Sequence, residues 1–203
     1  MEKILPLKFF DQRTLAVARG LLGQKLVRNV PPSRGASAGK RGQTIALTIA
    51  EVEAYDGPND RASHASRGRT PRTAVMFGEP GHVYVYLIYG FHYCMNLVSH
   101  PPGSSGAVML RSLEPLEGIE LMKRNRGKED VCDLCSGPGK LTKAMQIDKS
   151  LYGEDLLGSR VYLLDDGTEP GEVVARPRIG IKVATQMLWR FYPLRYRQWV
   201  SRP

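Results

Sequence analysis

Through the middle of the chain, hydrophobic positions alternate with polar ones, and a period of two predicts strands. In "TIALTIAEVEAY", residues 44–55, Ile45, Leu47 and Ile49 fall on one face. The same count carries Glu51, Glu53 and Tyr55 onto that face, so a strand that buries isoleucine and leucine next presents two carboxylates. The most β-prone stretch is "HVYVYLIYGFHYCMNLVS". Gly90 near its middle predicts a hairpin with its tip near Tyr89-Gly90-Phe91-His92. Within it Tyr84 and Tyr86 face one way, and Val83, Val85, Leu87 and Tyr89 the other. "QKLVRNV", "GAVMLRSL", "RVYLLDDG" and "VVARPRIGI" read as further strands.

Elsewhere the period is helical. Leu15, Ala18 and Leu22 stripe a helix from about Gln12 to Leu22, with Asp11 as its cap and Gly23 at its end. "EPLEGIELMKRNRG" puts Pro115 near a helix start, and "SGPGKLTKAMQI" a helix opening near Ser136. Residues 31–43, "PPSRGASAGKRGQ", lack periodicity and predict a surface loop between two strands. Strands dominate the middle with no regular βαβ alternation. The expected fold is therefore α+β: one domain over residues 1–203, with a mostly antiparallel curved sheet, surrounding helices and a protruding hairpin.

Charge narrows the partner. Lys and Arg number 29 against 20 Asp and Glu, a formal net charge of +9, which favours an anionic partner, nucleic acid before membrane. From Arg176 to Pro203 there are seven basic residues and no acidic ones, interleaved with Trp189, Phe191, Tyr192, Tyr196 and Trp199. That is either a nucleic-acid surface or a packed segment with solvated arginines. No apolar run reaches the roughly 18–20 residues that span a bilayer, and "MEKILPLKFFDQRT" makes a poor signal peptide. Three cysteines do not suggest a secreted disulfide framework. The expected setting is cytoplasmic: at the nucleoid in a bacterium, in the nucleus of a eukaryote.

Two familiar motifs fail on inspection. "CSGPGKLT" has the wrong spacing for a phosphate loop, and Leu141 stands where Ser or Thr should hold magnesium. Cys132 and Cys135 form a CxxC without a second ligand pair, so they read as ordinary thiols, and no metal or cofactor is expected.

Four ordered blocks remain: "EVEAYDGPNDRASHASRGRTPRT", "MFGEPGHVYVYLIYGFHYCMN", "VMLRSLEPLEG" and "LCSGPGKL". Together they resemble the alkyladenine (3-methyladenine) DNA glycosylase family, from about residue 8 to about residue 200. That resemblance implies a metal-free, monofunctional enzyme that excises alkylated or deaminated purines from duplex DNA and leaves an abasic site. By motif position, Glu53 resembles the family's general base. Arg111 falls at the arginine that helps position the nucleophilic water. Tyr55, His64 and Tyr86 fall where the family stacks on the flipped base. Tyr89 falls at the hairpin tyrosine inserted into the minor groove, and Asn96 at the position that screens out guanine.

The residue types suit that chemistry. Extruding a base costs a few kcal/mol, and a wedge such as Tyr89 can fill the gap it leaves. An alkylated cationic purine between aromatic faces gains roughly 0.5–2 kcal/mol over a neutral one. A carboxylate beside the anomeric carbon can take a proton from water and stabilise an oxocarbenium-like sugar. From the residues alone, plainer roles stay open: Tyr86 in the core, His64 in solvent, Asn96 on a buried backbone group, and Arg111 paired with Glu51. The rival readings are a non-catalytic nucleic-acid binding module and a metal-dependent hydrolase built on Glu51, Glu53 and the histidines. The protein is expected to act as a monomer.

Overall fold

The computed structural model describes residues 2–32 and 42–202. Its strands are β1 (Lys3–Ile4), β2 (Lys25–Val30), β3 (Gln43–Tyr55), β4 (Val83–Ile88), β5 (His92–Val98), β6 (Ala107–Glu117), β7 (Val161–Asp165), β8 (Val173–Arg176) and β9 (Arg190–Pro193). They form one antiparallel sheet in the order β1-β7-β2-β3-β6-β5-β4, with β9 pairing the end of β3 and β8 pairing β9. Among the described residues five short α-helices accompany it: α1 (Leu7–Phe10), α2 (Thr14–Gly20), α3 (Ile119–Arg126), α4 (Val131–Leu134) and α5 (Pro138–Ala144). The fold is α+β. Among the described residues no helix is long and apolar enough to cross a membrane.

One face of the sheet carries the main core. Ile45, Leu47, Ile49, Val52 and Ala54 of β3 meet Leu110 and Leu113 of β6 and Met95 and Leu97 of β5. Leu22, Met122 and Leu141 join them in the same buried cluster. The other face carries a smaller cluster of Ala65, Met76, Tyr84, Val98 and Ala107, bordered by Tyr86 and Tyr152.

Three expected boundaries move. Asp11 ends α1 instead of capping α2, whose N-cap is Arg13; the buried Thr14 hydroxyl donates to the Ser99 carbonyl at 2.7 Å. Pro115 lies inside β6, at an irregularity where the ladder runs from Ala46 opposite Glu117 to Leu47 opposite Pro115. Proline has no N–H to give a ladder, so a bulge is where a strand tolerates it. The helix then starts after Gly118, at φ 77°. The "VVARPRIGI" strand stops at Arg176 because Pro177 follows and Arg178 turns into the interior. Of the loop expected over 31–43, residues 33–41 lie outside the described residues.

Candidate active site

Two opposed bulges decide which side chains the sheet presents. Ile49 pairs Leu113, Glu51 pairs Ser112 and Val52 pairs Leu110, so the ladder skips Ala50 on β3 and Arg111 on β6. An extra residue reverses the facing of everything beyond it. Before the bulge, Ile45, Leu47 and Ile49 enter the main core; after it, Val52 and Ala54 do. Glu51, Glu53 and Tyr55 therefore do not share the face of the isoleucines, as unbroken alternation implied.

The register then aligns a row across five strands: Arg190, Glu53, Met109, Asn96 and Tyr84 are successive Cα partners on β9, β3, β6, β5 and β4. In-register neighbours of an antiparallel ladder point the same way, so this row forms one wall. Above it opens a cavity of about 560 Å³. Tyr55, His64, Tyr86, Asn96 and Arg111 line it, and Tyr89 stands at its edge. All seven residues implicated by sequence thus converge here, with Glu53 just beneath the floor.

Glu53 is fully buried, accepts two hydrogen bonds and faces one arginine. Its Oε1 accepts the Ile179 backbone N–H at 2.8 Å and lies 3.2 Å from Arg111 Nη1; its Oε2 accepts the Tyr55 hydroxyl at 2.8 Å. Burial pushes the Glu53 carboxyl above the ordinary value, while Arg111, the Ile179 N–H and the Tyr55 hydroxyl pull it back. Burial and the Glu53 charge raise Tyr55 well above its own ordinary value, so its hydroxyl remains a donor.

The aromatic side is equally fixed. His64 opens a turn capped by Ser63 and stands edge-on to Tyr86, ring centroids 4.7 Å apart. Its Nδ1 is 2.9 Å from the Tyr84 hydroxyl. Burial, with the Arg72 and Arg67 charges, lowers His64 to about 4, so the ring is neutral at neutral pH. Asn96 Nδ2 donates to the Tyr84 carbonyl at 3.1 Å. The backbone-satisfying role of Asn96 and its place on the cavity wall are therefore both real.

The hairpin is as expected, except that His92 already belongs to β5 and the tip is Tyr89–Phe91. Phe91 N–H bonds the Ile88 carbonyl at 3.3 Å, and Tyr89 and Gly90 have φ 54° and 79°. Positive φ at both central residues suits the twist of a tight hairpin, but it strains a non-glycine residue such as tyrosine. The Tyr89 side chain is nonetheless 76% exposed, so burial does not compensate the strain. Tyr89→Gly should therefore hold or raise stability, by up to about 1 kcal/mol in thermal unfolding. A large thermal loss would instead place Tyr89 in the core.

The family model described as methylpurine-DNA glycosylase matches residues 8–196. The chain belongs to that family. Glycosylase relatives agree along nearly the whole length. A protein of Methanocella arvoryzae named "Putative 3-methyladenine DNA glycosylase" is 47% identical over 193 residues, covering 93% of this chain and 92% of its own. One of the same name from Desulfitobacterium hafniense is 42% identical, covering 98% of each. Another, from Prosthecochloris aestuarii, is 45% identical, covering 91% of this chain and 85% of its own.

Sequence reasoning on this glycosylase chain missed the segment that closes the site. Arg178 is buried and grips Asp60 with two nitrogens, one at 2.5 Å and one at 2.8 Å. It also donates to the Ala54 carbonyl and lies 4.7 Å from the centre of the Tyr55 ring. That anchor delivers Ile179 to Glu53. Arg72 similarly lies 5.0 Å from the Tyr86 ring centre. The only signal for Arg178 was its place in the basic tail, which gave no hint of a partner 118 residues away. The CxxC pair splits, with Cys132 exposed and Cys135 buried. Among the described residues no three His, Cys, Asp or Glu side chains cluster as a metal site.

Proposed function

We propose that this DNA repair glycosylase, working as one domain and one monomer, flips a damaged purine into the cavity and hydrolyses its N-glycosidic bond with a Glu53-activated water. The observation that carries the reading is the Glu53 carboxylate, held by two hydrogen bonds and paired with Arg111 directly beneath a cavity walled by Tyr55, His64 and Tyr86. A carboxylate offers about four lone-pair sites. Two accept hydrogen bonds and a third side faces Arg111, which leaves room to accept a proton from a water on the floor. Arg111, on the floor and within reach of Glu53, orients that water. The raised basicity of Glu53 and its negative charge serve proton removal and stabilisation of the sugar cation. The water, rather than an amine, is the nucleophile, so the product is an abasic site with no strand cleavage.

Tyr55 and Tyr86 supply stacking surface, and neutral His64 closes the slot without adding charge. Arg178 and Arg72 already lie against these two rings, so stacking area more than cation attraction carries the affinity. Tyr89 wedges into the gap in the duplex. Asn96 is tied to the Tyr84 carbonyl and cannot swing aside for the exocyclic amine of guanine. Asn96→Ser should raise excision of undamaged guanine relative to hypoxanthine by roughly 10–200-fold, the roughly 1–3 kcal/mol that a small steric contact is worth; unchanged selectivity would remove that role. Such an enzyme acts where the DNA is, with damaged duplex as its partner.

The test is incubation with a duplex carrying hypoxanthine or ethenoadenine, in EDTA, scored for abasic sites before and after alkali. Release that survives EDTA and needs alkali to cut the strand is expected. Binding without release would make the protein a binding module, EDTA-sensitive release a metal-dependent hydrolase, and cutting without alkali a lyase.

A further inference from the structure

Glu51 is fully buried and plays no part in the mechanism above. Its Oε1 accepts from Arg190 Nη1 at 2.8 Å, and its Oε2 accepts the Ser201 backbone N–H at 2.8 Å. Arg111 lies on the same group: its Nε is 3.7 Å from Glu51 Oε1 and donates to Ser201 Oγ at 3.2 Å. The other edge of that guanidinium, Nη1, faces Glu53 at 3.2 Å. A guanidinium is a rigid planar fork, so fixing the Nε edge fixes the direction of Nη1.

We propose that Glu51 is a positioning residue of the hydrolytic site: with Ser201 it holds Arg111 in line with Glu53, and Arg190 and the Ser201 backbone hold Glu51 in turn. The proposal rests on the roles given to Glu53 and Arg111 above. The charges support it. Two buried carboxylates face two arginines, so Glu51 occupies Arg190 and the Nε side of Arg111 and leaves one cationic edge for Glu53. Without Glu51, both arginines would be drawn to the single remaining carboxylate. The segment from β9 to Ser201 thus becomes part of the active site, although Ser201 does not border the cavity.

A role confined to stapling this segment to β3 would change stability and leave excision in the folded protein unchanged. The experiment therefore compares single-turnover excision of hypoxanthine at saturating enzyme with affinity for the same duplex, using Glu51→Gln, Ser201→Ala and Ser201→Thr. Glu51→Gln should lower the excision rate constant by roughly 10–100-fold, the range of a hydrogen bond to a charged group, with affinity changed less than about threefold. Ser201→Ala removes only the hydroxyl under Arg111 and should cost about tenfold. Ser201→Thr keeps the hydroxyl and should restore the parental rate. If Glu51→Gln does not fold, the Ser201 pair decides. Parental rates in Glu51→Gln and Ser201→Ala, or rate and affinity falling together, would overturn the proposal. An unmodified protein that excises nothing, or a fully active Glu53→Gln, would overturn the underlying reading instead.

Discussion

Glu53→Gln is expected to yield a folded protein that binds hypoxanthine-containing duplex with parental affinity and excises it roughly 10²–10⁴-fold more slowly, the range for loss of a general base. Glutamine keeps the length of the side chain and an oxygen for the Ile179 N–H. It loses the charge that would remove a proton from water and face the sugar cation. Single-turnover kinetics with a parallel binding titration checks this, and a rate within threefold of the parent would assign the chemistry elsewhere. The pH dependence has a definite sign. Glu53 is raised above its ordinary value of 4.5, and only the ionised form is a base, so excision by the parent should climb with pH through a limb above 4.5. The same shift opposes stability. Protonation favours the folded state, so stability from this group is present below 4.5 and lost as pH rises through the raised value. Glu53→Gln should lack both dependences.

Asp60→Asn should be the most destabilising single change near the site. Asp60 and Arg178 are wholly buried, and removing one charge strands the other in the interior, at a cost of about 3–5 kcal/mol. For a chain of this size that corresponds to a melting temperature lower by roughly 6–20 °C. Excision should fall as well, because Arg178 anchors the turn that brings Ile179 to Glu53 and backs the Tyr55 ring. The double variant Asp60→Asn, Arg178→Gln should recover part of the stability, since no charge is left unpaired, but little of the activity. Calorimetry on the two proteins checks the first half; a loss below about 2 °C in the single variant would show that the pair is solvated.

What the sequence revealed follows how local each cause is. The hairpin was legible because strand patterning and a tight turn are set by neighbours, and Tyr89 falls at its tip. The burial of Ile45, Leu47 and Ile49 was legible from alternation. The parity of Glu51, Glu53 and Tyr55 was not, because it depends on how β3 and β6 share extra residues, a property of the pair and not of either strand. Pro115 misled for a related reason: its helix-start preference yields to a bulge set by the partner strand. Family motifs named six of the residues that line the cavity, and Glu53 beneath them. The residues that hold them escaped, because Arg178 finds Asp60 118 residues away and Arg190 finds Glu51 139 residues away, and no local pattern marks such meetings.

The matched skips at Ala50 and Arg111 behave like a frameshift followed by its correction. Deleting Ala50 alone would turn Glu53 toward Val108 and Leu110 and send Val52 to the cavity. The same loss on β6 would move Met109 off the wall. Either change by itself mixes core and cavity sides, so neither is a passable intermediate. The number of residues between β3 and β6 partners can therefore change only in two strands at once. The length of these strands is a constraint in its own right, separate from the identity of any one side chain.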